Sequence, residues 1–223
     1  MSKHLSLGGW RFGLAILPAG RVGEALRRAL QNIASSIWSS VSAPVQYAAV
    51  VAYSGDPEID EYVDVCTQMH ALRTRYLYKT LVEAGVACVE PSGAFYLYPN
   101  FNQWRVSLVA RGIQTSDELA FYLLERYALA SLPGSAFGSP PEDLCLRLSS
   151  SYLDAGTDEK ASALVEAYLA DPDPQAFIDN HHPRLREAAA RLAEFAADLE
   201  KGQQRNVKVI VPAVPAPKPS NPD

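Results

Sequence analysis

Apolar residues recur every three or four positions along residues 57–84, where Ile59, Val63, Cys66, Met69, Leu72 (or Arg73), Tyr76, Leu77 and Leu81 share one face. Asp60, Glu61, Arg75 and Lys79 lie elsewhere on the same stretch. That period predicts an amphipathic helix of about six or seven turns, stopped by Gly85. Upstream, the apolar run from Phe12 to Leu17 ends at Pro18 and predicts a short buried strand, and Val22, Leu26, Ala29, Leu30 and Ile33 follow at helical spacing. Ser35 to Ser42 is a loop by composition, and a second helix opens at Pro44 and stops near Ser54-Gly55-Asp56-Pro57.

Downstream of Gly85 the pattern changes to short extended runs: Val86–Val89, the aromatic Gly93–Pro99, Ala128–Leu132 and Leu144–Ser149. Between the second and third of these, Ser116 caps a helix running to Tyr127. Pro133–Gly138 forms a glycine-bearing loop between the last two. A helix from Thr157 or Asp158 to about Ala170 precedes the break Asp171-Pro172-Asp173-Pro174. Residues 183–201 predict a separate amphipathic helix, with Pro183 near its first turn and Leu185, Ala189, Leu192, Phe195 (or Ala196) and Leu199 as its apolar stripe. The stripe spans under three heptads, which suits a face docked on the domain or on a partner subunit better than a long coiled coil. Beyond Gly202, five prolines between Pro212 and Pro222 predict an extended, disordered tail.

Composition narrows the function. With 223 residues, 48% of them hydrophobic, the chain can fill one good-sized core or two small ones. A formal charge of −5 without basic clusters argues against nucleic acid. No apolar stretch approaches membrane-spanning length. Arg11 interrupts the one run that could imitate a secretory leader. Cys66, Cys88 and Cys145 lie far apart and read as buried thiols of a reducing, cytoplasmic compartment. The histidines have no metal-ligand spacing; His181 and His182 read as a helix entrance before Pro183.

The candidate chemistry begins at the N-terminus. An amine such as that of Lys3 can condense with a carbonyl when enough of it is unprotonated. Eight residues on, Arg11 offers a rigid fork of donors that suits a phosphate, and Gly8, Gly9 and Gly13 let the intervening backbone turn tightly. An amine and a phosphate fork on one turn suggest pyridoxal phosphate. Further on, Arg147 stands within the last predicted strand, where a planar guanidinium can grip a carboxylate at two points.

Residues Ser2 to Gly13 resemble the lysine signature of the class I/II pyridoxal-phosphate-dependent aminotransferases of fold type I. The sequence departs from that signature at Phe12, usually aliphatic, and lacks the serine expected three residues before the lysine. Gly93–Pro99 and Pro133–Ser149 resemble the family's small-domain strand and its substrate-closing loop and strand, in the right order. The resemblance implies an α/β fold: residues 1–56 from the end of a cofactor-binding large domain, 57–85 a connecting helix, and 86–170 the small C-terminal domain. Residues 171–203 would be an added helical extension, and 204–223 the tail. It implies pyridoxal 5′-phosphate held by Lys3 and Arg11, Lys3 as catalytic base, Arg147 on the substrate α-carboxylate, amino-acid and 2-oxo-acid substrates, and a homodimer.

In the family the lysine follows most of the large domain. The stacking ring, the partners of the 3-hydroxyl and the aspartate at the pyridine nitrogen therefore have no counterparts here, and the isolated chain is expected to bind the cofactor weakly and to turn over little. C–S lysis, decarboxylation and a non-catalytic interaction role are the alternatives.

Overall fold

The computed structural model describes residues 1–170 and 173–210. The chain divides into two compact units, Met1–Gln68 and Met69–Asp223. In the first, helix α1 spans Arg21–Ile37 and helix α2 Ala43–Ala52. Ser35 and Ser36, expected in a loop, continue α1 and turn their hydroxyls back to the Asn32 carbonyl. This local bond lets serine persist in a helix. Phe12–Leu17 is not a strand, because no described neighbour pairs with its backbone. The apolar stripe of α1 is likewise open: Val22, Leu26, Leu30, Ile33 and Ile37 are all exposed, and Gly23 is the helix's buried residue. The stripe is present as expected, but no described layer covers it.

Helix α3, Pro57–Glu83, runs through the division between the units. It ends as the pattern predicts, at Gly85 with φ +81°, where Val86 N–H donates to the Leu81 carbonyl at 2.8 Å and Gly85 N–H to that of Val82 at 2.9 Å. In the second unit, strand β1 (Tyr96–Leu97), the short helix α4 (Arg105–Val109), helix α5 (Ser116–Tyr127), and strands β2 (Leu132–Pro133) and β3 (Leu146–Ser149) follow. The sheet has the order β1-β3-β2 and is antiparallel throughout, with Leu97 opposite Leu148 and Leu132 opposite Arg147. All four expected runs shorten: Gly93–Pro99 keeps only Tyr96–Leu97, and Leu144–Ser149 keeps Leu146–Ser149. Val86–Val89 contributes a single bridge, Ala87 to Asn100, and Ala128 adopts the left-handed conformation that ends α5, so that only Leu132–Pro133 remains extended and paired. Thr115, not Ser116, caps α5: its hydroxyl accepts the Glu118 N–H, and the Glu118 carboxylate returns to the Thr115 N–H.

Helices α6 (Asp158–Ala170), α7 (Pro174–His181) and α8 (Pro183–Ile210) complete the described chain. Helix α7 was not foreseen; Asp173 caps it through the Ala176 N–H. Leu185, Ala189, Leu192, Phe195, Ala196 and Leu199 of α8 are buried in the same core as Leu77, Leu81, Phe101, Leu119, Leu123 and Leu146. Gly202 does not end this helix. A Cβ there would meet the Ser107 hydroxyl at 2.4 Å, so glycine marks the close approach of α8 to α4. The helix continues over residues 204–210, where the tail was expected to start; residues 211–223 lie outside the described residues, as do Asp171 and Pro172 of the expected break. Of the three cysteines, Cys145 is buried, while Cys66 and Cys88 are half-buried.

The apolar face of α3 also carries polar residues. Arg73, 3% exposed, donates from Nη1 to the Ser151 carbonyl at 3.2 Å and from Nη2 to that of Leu153. Thr74 and Ser150 share a hydroxyl contact at 2.9 Å. One residue further on, the Asp154 carboxylate accepts the Arg184 and Leu185 N–H groups at 3.0 and 3.1 Å, so a loop residue caps α8 from a distance. His182 is fully buried, with its ring edge-on to Phe177 and its Nδ1 3.6 Å from the Asp154 carboxylate, beyond hydrogen-bonding reach. Burial first, and then the nearby Arg73 charge, lower the His182 pKa to about 4, against the weaker opposing pull of Asp154. The imidazole is therefore neutral at pH 7, and its contact with Asp154 is not an ion pair. His70, packed on Phe95, is lowered to about 4 by the same two causes.

Asp154→Ala removes the cap of α8 and the carboxylate nearest Arg73, so denaturant unfolding is expected to show a loss of about 2 kcal/mol, with Asp154→Asn recovering part of it. An unchanged midpoint for Asp154→Ala would contradict the capping role. The histidines set a second expectation. Their folded pKa values lie below the unfolded value of about 6.5, so the unfolded chain binds more protons between pH 6.5 and 4, and their contribution is complete above that window and lost as pH falls through it. The melting temperature should fall across this window, and less steeply in His182→Gln; equal slopes would remove His182 from the account.

Candidate functional site

Lys3 and Arg11 stand on one curled segment of the first unit. The Met1 carbonyl accepts the N–H groups of Leu5 and Leu7 at 3.3 and 3.4 Å, and the Lys3 carbonyl accepts that of Ser6 at 3.3 Å. The terminal amine donates to the Tyr53 hydroxyl at 3.2 Å, and the His4 ring lies 5.9 Å from that of Tyr53. These contacts wind residues 1–7 around buried Met1 and leave the Lys3 side chain exposed. A 3-10 turn, Gly8–Trp10, then leads to Arg11, which adopts φ 52° and ψ 41°, an uncommon conformation for a residue with a Cβ. Its Nη1 donates to the Gly8 carbonyl at 2.8 Å, which ties the guanidinium to the turn that carries it. Among the described residues no carboxylate pairs with Arg11, and its side chain is exposed. An exposed lysine and a guanidinium without a carboxylate among the described residues, on one curled segment, are of the residue types that suit the aldehyde and phosphate ends of pyridoxal phosphate.

Arg147 belongs to the second unit, at the centre of β3. Leu146 and Leu148 on either side of it face the core, so the strand's alternation sends Arg147 to the opposite face. There its Cζ lies 4.5 Å from the centre of the Tyr96 ring and 4.3 Å from that of Phe137, over both faces. Arg147 makes no hydrogen bond or ion pair among the described residues; its Nε is sealed from solvent without a partner, while its Nη groups are not. Leaving a buried donor unsatisfied costs about 1–3 kcal/mol, and the two rings stacked on the guanidinium offset part of that cost. Phe95 joins the same sheet, its carbonyl accepting the Ser150 N–H at 3.1 Å, so the aromatic strand and the arginine strand adjoin as the sequence implied.

Tyr96 and Phe137 were not foreseen as partners of the arginine. The signal was available only as aromatic residues in the two matching blocks, because pairing them requires the β1–β3 register and the fold of the 133–138 loop. That loop is well pinned. Ser135 donates from its N–H to the buried Ser116 hydroxyl at 3.2 Å and from its own hydroxyl to Asp117 at 2.6 Å. Gly134 packs where a Cβ would come within 2.7 Å of the Tyr98 hydroxyl. Among the described residues, no cluster of histidine, cysteine or carboxylate groups could hold a metal ion, and no helix is long and apolar enough to cross a membrane.

Comparison with known proteins gives a consistent picture. A sequence profile described as aminotransferase class I and II matches residues 1–167. The aspartate aminotransferase of Geobacillus stearothermophilus is 38% identical over 141 residues, which are 63% of this chain and 33% of that protein. That of Bacillus subtilis is 40% identical over the same length and shares. The aspartate/prephenate aminotransferase of Cereibacter sphaeroides is 34% identical over 175 residues, 76% of this chain and 40% of that one. Among solved structures, the aspartate aminotransferase of Thermotoga maritima superposes with a TM-score of 0.55 at 26% identity, covering 88% of this chain and 38% of that chain. The aromatic aminotransferase of Pyrococcus horikoshii gives 0.57 at 23%, covering 89% and 42%. The chain thus spans about a third of the length of the first two relatives. Its α/β architecture matches part of the fold of such enzymes, whose family uses pyridoxal phosphate. With three quarters of its residues inside the family profile, including both the Lys3 and the Arg147 blocks, the chain belongs to the class I and II aminotransferases.

Proposed function

We infer that the protein takes part in pyridoxal-phosphate-dependent transfer of an amino group between an amino acid and a 2-oxo acid. The observation that carries this reading is Arg147: a strand-borne guanidinium without a hydrogen-bond or ion-pair partner among the described residues, stacked on aromatic rings, with its Nε sealed and its Nη donors not. A charged group is held this way when its counter-charge arrives with a ligand, and a planar fork suits an α-carboxylate. Gripping that carboxylate orients the substrate about its Cα, which decides which Cα bond is presented for cleavage.

On this reading Lys3 would hold pyridoxal 5′-phosphate through Nζ, and the same nitrogen would take the Cα proton and deliver it to the cofactor, as amino-group transfer requires. Arg11 grips the phosphate. The bound cofactor supplies the electron sink that makes loss of the Cα proton feasible. A homodimer is the assembly that the reading carries with it, and the exposed apolar residues of α1 and α2 offer surface for one.

Aspartate is the first donor to try, since two relatives at 38% and 40% identity carry its name. With saturating pyridoxal 5′-phosphate, ¹⁵N-aspartate and 2-oxoglutarate, the reading expects ¹⁵N in glutamate at a low rate, in keeping with the weak cofactor binding expected of the isolated chain. Lys3→Ala should abolish the transfer, and Arg147→Lys should lower kcat/KM by about 10²-fold, mainly through KM, as loss of a bidentate contact does. Transfer that survives Lys3→Ala undiminished would refute the role of this lysine.

A further inference from the structure

We propose that Phe137 is a positioning residue which, with Tyr96, holds the Arg147 guanidinium over aromatic rings so that its Nη edge is fixed for a substrate carboxylate. The proposal rests on the carboxylate role of Arg147 and extends it to a residue no comparison singles out.

A guanidinium is weakly hydrated on its faces and strongly hydrogen-bonding at its edge. Rings stacked on its face hold it by cation–π attraction while leaving the edge donors available for a carboxylate. At 4.3 Å from Cζ, the Phe137 ring lies well within the ~6 Å range over which such attraction is useful. The ring from β1 and the ring from the 133–138 loop come from different parts of the chain, so the arginine is held from two independent supports.

The loop that presents Phe137 is rigid for identifiable reasons. Ser135 is bonded twice to the first turn of α5, Gly134 packs against Tyr98 and Cys145, and Gly138 turns the chain at φ +88° immediately after the phenylalanine. Phe137 itself is 46% exposed. An aromatic ring left half in water on a well-pinned loop gains little from burial, and its contact with Arg147 accounts for its place. Fixing the guanidinium before substrate arrives removes part of the ordering cost that a long, flexible arginine otherwise carries into binding.

The test is nuclear magnetic resonance of the arginine side chains in the ¹⁵N-labelled chain, with the Arg147 signal assigned by its loss in Arg147→Lys. Over two ring faces, the guanidinium protons should resonate upfield of the other arginines; Phe137→Ala and Phe137→Leu should remove the share of that shift that Phe137 supplies and leave that of Tyr96, and Phe137→Trp should keep the whole. Succinate, titrated at constant ionic strength, should move the Arg147 signal. Its affinity should fall roughly three- to tenfold in Phe137→Ala and in Phe137→Leu, and recover in Phe137→Trp. Equal melting temperatures across the variants keep a folding defect from imitating the result. Affinity in Phe137→Leu equal to that of the parent chain would overturn the clamp alone. An Arg147 signal that succinate leaves unmoved in the parent chain, with the ring-shifted resonance intact, would overturn the carboxylate reading and the proposal together.

Discussion

A buried charge constrains everything around it, and in this fold that charge is Arg73. Its guanidinium lies inside the second unit, where an unpaired cation would be strongly destabilising, and it is accommodated by the carbonyls of Ser151 and Leu153 and by the nearby Asp154 carboxylate. The segment immediately after β3 is thereby fixed to α3, and Asp154 is held where it caps α8. Helix α8 then supplies six apolar residues to the core on which the sheet rests. Arg147, four residues before Ser151, inherits its position from this arrangement: the strand that carries it is anchored behind by Leu146 and Leu148 and at its end by Arg73.

The two arginines show how environment divides one chemistry into two roles. Arg73 gives both Nη groups to backbone carbonyls inside the protein, with its Nε left unpartnered, and is structural. Arg147 faces aromatic rings, which hold its plane without occupying its edge. The first fixes a strand; the second, on the proposed reading, would give its edge to a ligand. In the first unit, Lys3 and Arg11 stand exposed on a segment closed by its own carbonyls, and Arg11 Nη1 returns to the Gly8 carbonyl.

Much of this was legible in the sequence where the signal is local. The period of α3 and its glycine stop, the stripe of α8, and the order of the lysine and arginine blocks all depend on residues near one another in the chain. What was not legible depends on distant pairing. Arg73 reads only as an alternative to Leu72 on the apolar face, with nothing to show how its charge is met until its carbonyl partners, about 80 residues away, are known. Gly202 reads as a helix stop until Ser107 is seen beside it. Phe12–Leu17 has strand composition but no described strand to pair with, and a strand is a property of two segments rather than one. Tyr96 and Phe137 meet at Arg147 only once register and loop conformation are set.

The central claim is that Lys3, on its curled N-terminal segment, is the amine through which this chain engages pyridoxal 5′-phosphate. Borohydride reduction of the chain after incubation with pyridoxal 5′-phosphate, followed by digestion and mass-spectrometric peptide mapping, tests it directly. The account predicts a phosphopyridoxyl group on Lys3, at higher occupancy than on any other lysine and diminished in Arg11→Ala. Label spread equally over Lys79, Lys160 and Lys201, with Lys3 unmodified, would contradict it.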